Sequence, residues 1–163
     1  MKGWIFNASP LILFAKIHQL HLIEALSPDF RVPRAVIREI GAGAADDPAV
    51  KWLGDVSLCA HFVDAPSAPT LLAQWDLGAG ETAVHSLALA DDGAVVVLDD
   101  LAARKFAQTF RLPLLGTLGV LLRAKKAGLI NQLAPHIQGL ETAGANLSKP
   151  LIARALSLAG EAP

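Results

Sequence analysis

Apolar residues fall along this chain in two alternating rhythms. Short solid runs mark strands: Trp4-Ile5-Phe6, Phe30-Arg31-Val32, a stretch near His61-Phe62-Val63, Ala94-Val95-Val96-Val97-Leu98 and Pro113-Leu114-Leu115. Between them, apolar positions recur every three or four residues, as on helices. Ser9 followed by Pro10 predicts a capped helix start, and the helix continues to a break near His18 and resumes through Leu22 and Leu26. Pro33 opens a second helical stretch that Gly41 and Gly43 end, and another runs from about Pro48 to Leu53. Residues 64–69 are small residues with two prolines, a loop signal. Gly78-Ala79-Gly80 turns into a helix from Glu81 to about Ala90, and further helices are predicted over 102–110 and from Thr117 to Ala127, with Gly128 at its end. Two more occupy the tail from Gln132 to Ala159, the last capped by Ser148 with Pro150 in its first turn.

Strands alternating with helices predict a parallel sheet covered on both faces and joined by right-handed crossovers. The run from Ala94 to Leu98 is apolar at every position, so it belongs in the middle of that sheet. It ends on two adjacent carboxylates, Asp99 and Asp100. Ligands in such sheets bind beyond the carboxyl ends of the strands, and neighbouring carboxylates repel unless a cation lies between them. Asn7 follows the first strand, Glu81 lies in the first turn of the helix before the long strand, and Glu39 lies on the helix after the second. If the first and fourth strands are neighbours, Asn7 meets the Asp99–Asp100 pair.

Composition narrows the picture. With 163 residues, 53% of them apolar and 18% charged, the chain is expected to form one packed domain. No repeat, low-complexity tract or linker divides it. A single cysteine, Cys59, excludes an intramolecular disulfide and a multi-cysteine zinc site. Lys2 and the apolar residues after it resemble the start of a signal peptide, but Asn7-Ala8-Ser9-Pro10 interrupts the run and no cleavage site follows. No stretch is long enough to span a bilayer, and the expected location is cytoplasmic. Net charge is −1 but unevenly spread. Residues 1–100 hold 6 Lys/Arg against 13 Asp/Glu, and residues 101–163 hold 8 against 2. An acidic metal site facing a basic rim would suit a phosphodiester. Ordinary scatter is the alternative.

These residues carry a family likeness. Asn7-Ala8-Ser9-Pro10-Leu11-Ile12, then Val32 to Ile40 with Glu39, then Gly80-Glu81-Thr82-Ala83, then Leu98-Asp99-Asp100 with Ala103-Arg104, then Gly116-Thr117-Leu118-Gly119-Val120-Leu121-Leu122 occur in this order. Together they resemble the PIN-domain family. The likeness is greatest to the VapC-like ribonuclease toxins of prokaryotic toxin–antitoxin pairs, in a less characterised branch with an Asn-Ala-Ser-Pro start. It covers residues 3 to 130, with a weaker echo in the final helix.

The resemblance implies one PIN-like domain over residues 1–163, with a core of 3–130 and C-terminal helices over 131–160. Its fold would be a three-layer α/β/α sandwich around a short, mainly parallel sheet of about five strands. The activity implied is Mg²⁺- or Mn²⁺-dependent endonucleolytic cleavage of single-stranded RNA, with an antitoxin protein as partner. Carried over by motif, the metal-binding positions fall on Asn7, Glu39, Glu81, Asp99 and Asp100. Glu39, Glu81 and Asp100 are the catalytic set, with Asp100 preferred over Asp99, which is read as a cap or supporting group. Thr117 matches a hydroxyl position near the site. Arg34, Arg38, Arg104 and Lys105 would meet flanking phosphates. The apolar content and exposed helices predict a homodimer.

Position 7 departs from the general pattern, which has Asp there. The amide oxygen of Asn7 can still ligate a cation, but it brings no negative charge. An alternative function follows: a weak or inactive PIN-like module that binds RNA or protein. A DNA-directed or structure-specific nuclease is a third. Each residue also has a plainer reading. Either aspartate can cap the next helix, Glu81 can complement a helix dipole, and Glu39 can be a surface residue. Ser9 and Thr117 can be caps. Gly78-Ala79-Gly80 lacks the third glycine of a dinucleotide loop. His85 is expected to be a satisfied structural histidine, His18, His21, His61 and His136 form no ligand group, and Trp4, Trp52 and Trp75 are expected in the core.

Overall fold

Five short strands meet in one parallel arrangement in the computed structural model, which describes residues 3–161. Lys2, part of the signal-like start, lies outside the described residues. The strands are β1 (Trp4–Phe6), β2 (Val32–Pro33), β3 (Phe62–Val63), β4 (Val95–Val97) and β5 (Leu114–Leu115). β1, β4 and β5 form a three-stranded sheet in the order β1-β4-β5, and β2 and β3 form a two-stranded one. An isolated parallel bridge between Ile5 and Arg31 joins them, closed by Phe6 N–H to Arg31 O at 3.0 Å and Arg31 N–H to Trp4 O at 2.7 Å. The strands therefore run β3-β2-β1-β4-β5. β1 sits at the switch point, with Phe6 opposite Val97 and Val97 opposite Leu115.

Nine α-helices are described: α1 (Ala8–Lys16), α2 (His21–Leu26), α3 (Arg34–Gly41), α4 (Pro48–Leu53), α5 (Ala79–Ala90), α6 (Leu101–Thr109), α7 (Thr117–Lys126), α8 (Ala134–Thr142) and α9 (Lys149–Leu158). Every residue of β1 is buried, and so are Ala94, Val96, Val97 and Leu98, so both faces of the central strands are covered. α5 packs across β1, β2 and β4. Leu133, Ile137, Leu140 and Ala155 of the tail join the same core. Glu161 ties that tail down, accepting from the N–H groups of Leu133 at 2.6 Å and Ala134 at 3.0 Å, where α8 begins.

Element positions follow the apolar rhythm closely, but caps differ. Ser9 was the expected cap of the first helix. In the structure Asn7 occupies the cap position with extended backbone, Ser9 lies inside the first turn, and no side chain caps that end. Pro10 is tolerated because the first helical N–H groups have no partner in the helix anyway. The break near His18 is a positive φ of 57° at that residue. Two 3-10 turns, over Val56–His61 and Thr70–Trp75, had no counterpart in the sequence reading. Their tighter winding lacks the 3.6-residue rhythm that marks an α-helix. Ser148 caps α9 as expected, accepting from Leu151 N–H at 3.4 Å. Gly128, at φ 72°, ends α7 in the left-handed conformation that suits glycine. Trp4 is in the core, Trp52 stacks on Phe30, and Trp75 meets Phe106 and Phe110 edge-on.

Candidate active site

The carboxyl ends of β1, β4 and β5 open toward one edge, and the N-termini of α5, α6 and α7 arrive there. Asn7, the first residue past β1, is 3% exposed. Its N–H donates to Val97 O on β4 at 3.0 Å, which extends the sheet pairing by one step. Its side-chain Nδ2 donates to Glu81 Oε1 at 3.0 Å. An ionised carboxylate only accepts, so this bond fixes which end of the amide faces Glu81. Asn7 Oδ1 is left buried with no hydrogen-bond partner among the described residues.

Two carboxylates gather at the start of α5. Glu81 lies in its first turn, and Glu39 reaches across from α3 so that its Oε1 accepts from Gly80 N–H at 2.7 Å. That N–H is one of the donors a helix leaves free at its start, where the dipole favours negative charge. Glu39 is therefore not a free surface residue.

The cap of α6 falls on Asp100, not on Asp99 where it was expected. Asp100 caps α6, its Oδ1 accepting from Ala103 N–H at 2.9 Å. Asp99 is not the cap. Its Oδ1 accepts from Thr117 N–H at 2.8 Å and its Oδ2 from the Thr117 hydroxyl at 2.5 Å. Thr117 is buried at the start of α7, and Gly116 holds the cap position before it. Asp99 stands two positions beyond Val97, the residue paired with Phe6, and its carboxylate is turned to Thr117 beyond β5, the other neighbour of β4.

The cations are dispersed. Arg104 is half-buried at the site edge and donates from Nη1 to Leu98 O at 3.2 Å. Lys105 and Arg38 are exposed, and Arg34 is exposed and pairs with Asp64 at 3.4 Å. Arg123 and Lys125 do not join a rim here. Arg123 lies over the Trp4 ring at the far end of β1, and Lys125 is occupied by Glu161 at 3.2 Å and by Asn131 O. Both belong to the last turn of α7, whose first turn is at the site.

His85, one turn after Glu81, is fully buried with both ring nitrogens unpartnered, so it is not the satisfied histidine expected. Its ring packs 4.4 Å from Phe106, and burial pushes its pKa down to about 4. The sequence reading also missed two backbone donors, Gly80 N–H and Thr117 N–H. The predicted helix starts were the available signal, because every helix start presents such donors.

Among the described residues, no three of His, Cys, Asp and Glu form a group able to hold a metal. An amide oxygen is outside that count, and Asn7 Oδ1 is the atom that lacks a partner. Buried acceptors without donors are uncommon in folded proteins. Carboxylate and amide oxygens are the donor type that Mg²⁺ and Mn²⁺ take. By the chemistry of their oxygens, Asn7, Glu81 and Asp99 could serve as ligands to a divalent cation.

A family model described as PIN domain matches residues 3–161. The chain belongs to the PIN-domain family. No curated protein and no solved structure gives a significant match. PIN domains are generally nucleases, so the strand-end edge of this PIN domain is the place to seek nucleic-acid hydrolysis. No helix among its described residues is long and apolar enough to cross a membrane.

Proposed function

We propose that this PIN domain is a Mg²⁺- or Mn²⁺-dependent endonuclease of single-stranded RNA, working as the toxin of a toxin–antitoxin pair. One observation carries the metal-dependent part: the buried, unpartnered Oδ1 of Asn7, whose Nδ2 donates to Glu81. Asn7, Glu81 and Asp99 hold the ion. When bound, the ion supplies charge neutralisation at the phosphate and makes hydroxide accessible near neutral pH. Thr117 fixes both oxygens of Asp99, and Glu39 braces the start of α5 through Gly80. Arg104, tied to Leu98 O, offers positive charge to the phosphodiester, and Lys105 and Arg38 are free to meet flanking phosphates. Asp100 serves α6. The family likeness in the sequence supports RNA as substrate and an antitoxin partner, and the apolar content and exposed helices support a homodimer; a cytoplasmic setting is proposed with them.

The test is cleavage of a single-stranded RNA with Mn²⁺, alongside Mn²⁺ calorimetry. Asp99→Asn and Glu81→Gln should each abolish cleavage and weaken binding, while Asp100→Ala keeps both. Undiminished cleavage in the first two would overturn the assignment. The second reading, a PIN-like binding module that does not cut, is favoured by the neutral Asn7 and by the absence of a three-carboxylate group among the described residues. It predicts intact RNA, no Mn²⁺ uptake at millimolar metal, and a gain of both in Asn7→Asp.

A further inference from the structure

Three glycines stand directly against the carboxylates of this site, and none is there for its backbone conformation. Gly78 caps α5 at φ −61°, ψ 167°, and Gly116 caps α7 at φ −104°, ψ 171°. Gly80 lies in the first turn of α5, where alanine would be the better helix former. Any residue could adopt these angles. The space is what differs. A Cβ on Gly78 would collide with Glu81 Oε2, the oxygen of Glu81 not used by Asn7. A Cβ on Gly80 would collide with Glu39 Oε2 and lie 2.8 Å from its Cδ. On Gly116 it would lie 2.9 Å from Arg104 Nη1 and 3.0 Å from Asp99 Oδ1.

In each case the obstacle is the far end of a flexible side chain. An added methyl would move the carboxylate, not the fold. Gly3 shows the opposite type: a Cβ there meets the backbone of Asp29, which cannot swing aside.

We propose that Gly78, Gly80 and Gly116 are positioning residues of the site, their missing side chains being the space in which Glu81, Glu39, and Asp99 with Arg104 are held. The metal readout rests on the function proposed above. The structural readout does not. A merely structural glycine in a helix predicts that alanine stabilises the protein and leaves the site alone. A positioning glycine predicts that stability holds while the site fails.

The experiment compares Gly78→Ala, Gly80→Ala and Gly116→Ala with Gly119→Ala. Gly119 lies inside α7, where a Cβ makes ordinary contact with Leu115 at 3.4 Å. Each variant is followed by thermal melting, by Mn²⁺ affinity, and by the hydrogen-exchange response of the residue 80 and residue 117 amides in NMR. In the parent these amides donate to Glu39 and Asp99 and should exchange slowly. The expected result is that residue 80 loses its protection in Gly80→Ala and residue 117 in Gly116→Ala. Mn²⁺ affinity should fall about tenfold, as when supporting contacts to ligands are removed. Melting temperature should hold or rise, and Gly119→Ala should keep parental affinity. Parental amide responses and parental affinity in the three variants would overturn the proposal, as would a large drop in their melting temperature. If the parent takes up no Mn²⁺, the nuclease reading fails, and the amide responses alone decide for or against the cradle.

Discussion

Replacing His85 with leucine should make the protein less sensitive to acid. His85 is fully buried on α5 against Phe106, with neither ring nitrogen bonded, and burial lowers its pKa from 6.5 to about 4. Ala103 lies beside the ring without closing a hydrogen bond, so burial dominates. The sign follows from proton uptake. Below pH 6.5 the unfolded chain protonates this histidine and the folded one does not, so stability is whole above 6.5 and falls as pH drops toward 4. At about 1.36 kcal/mol per pH unit, the loss is at most about 2 kcal/mol at pH 5 and about 3 kcal/mol by pH 4. Leucine does not titrate, is close in size and leaves no unpaired polar atom, so at pH 7 the variant should match or exceed the parent. Urea unfolding of both proteins at pH 7, 6, 5 and 4.5, followed by tryptophan fluorescence, measures the difference. Titrating carboxylates contribute equally to both and cancel. Parallel stability curves for parent and variant would refute the reasoning, and so would a variant several kcal/mol weaker at pH 7.

Three further outcomes are expected. Asp100→Ala removes the α6 cap and should lower stability by about 1 kcal/mol in chemical denaturation, without changing Mn²⁺ affinity. Thr117→Val keeps the N–H bond to Asp99 but deletes the hydroxyl bond, which should lower stability by about 1.5–3 kcal/mol, as for a hydrogen bond to a charged group. Mn²⁺ affinity should fall with it, and a variant that binds metal normally would show that Asp99 needs only the backbone donor. Glu161 has its pKa lowered chiefly by the Ala134 and Leu133 N–H groups, so the stability it adds is present above the ordinary glutamate range and lost as pH falls through its folded value. Glu161→Gln should therefore flatten that part of the pH–stability curve, and an unchanged curve would show that the tail is held by its apolar contacts alone.

What the sequence determined by itself was local. Apolar spacing located all five strands and seven of the nine helices to within two residues, and the last two as a pair in the tail, because burial of one face imposes a repeat on neighbouring residues. The solid run ending at Asp99 and Asp100 placed β4 in the middle of the sheet and its acids at the working edge. Tertiary structure decided which side chains answer one another. Asn7 and Glu81 are 74 residues apart, Glu39 and Gly80 are 41 apart, and no periodicity encodes such pairs. Which aspartate caps α6 was also out of reach: both are Asp beside a helix start, and only the tertiary structure brings Thr117, on the helix after a different strand, to Asp99 and leaves the cap to Asp100. The same holds for the positive half of the chain. Its charge is plain in the sequence, but a helix that starts at the site carries its basic last turn to the opposite edge, where Trp4 and Glu161 receive it.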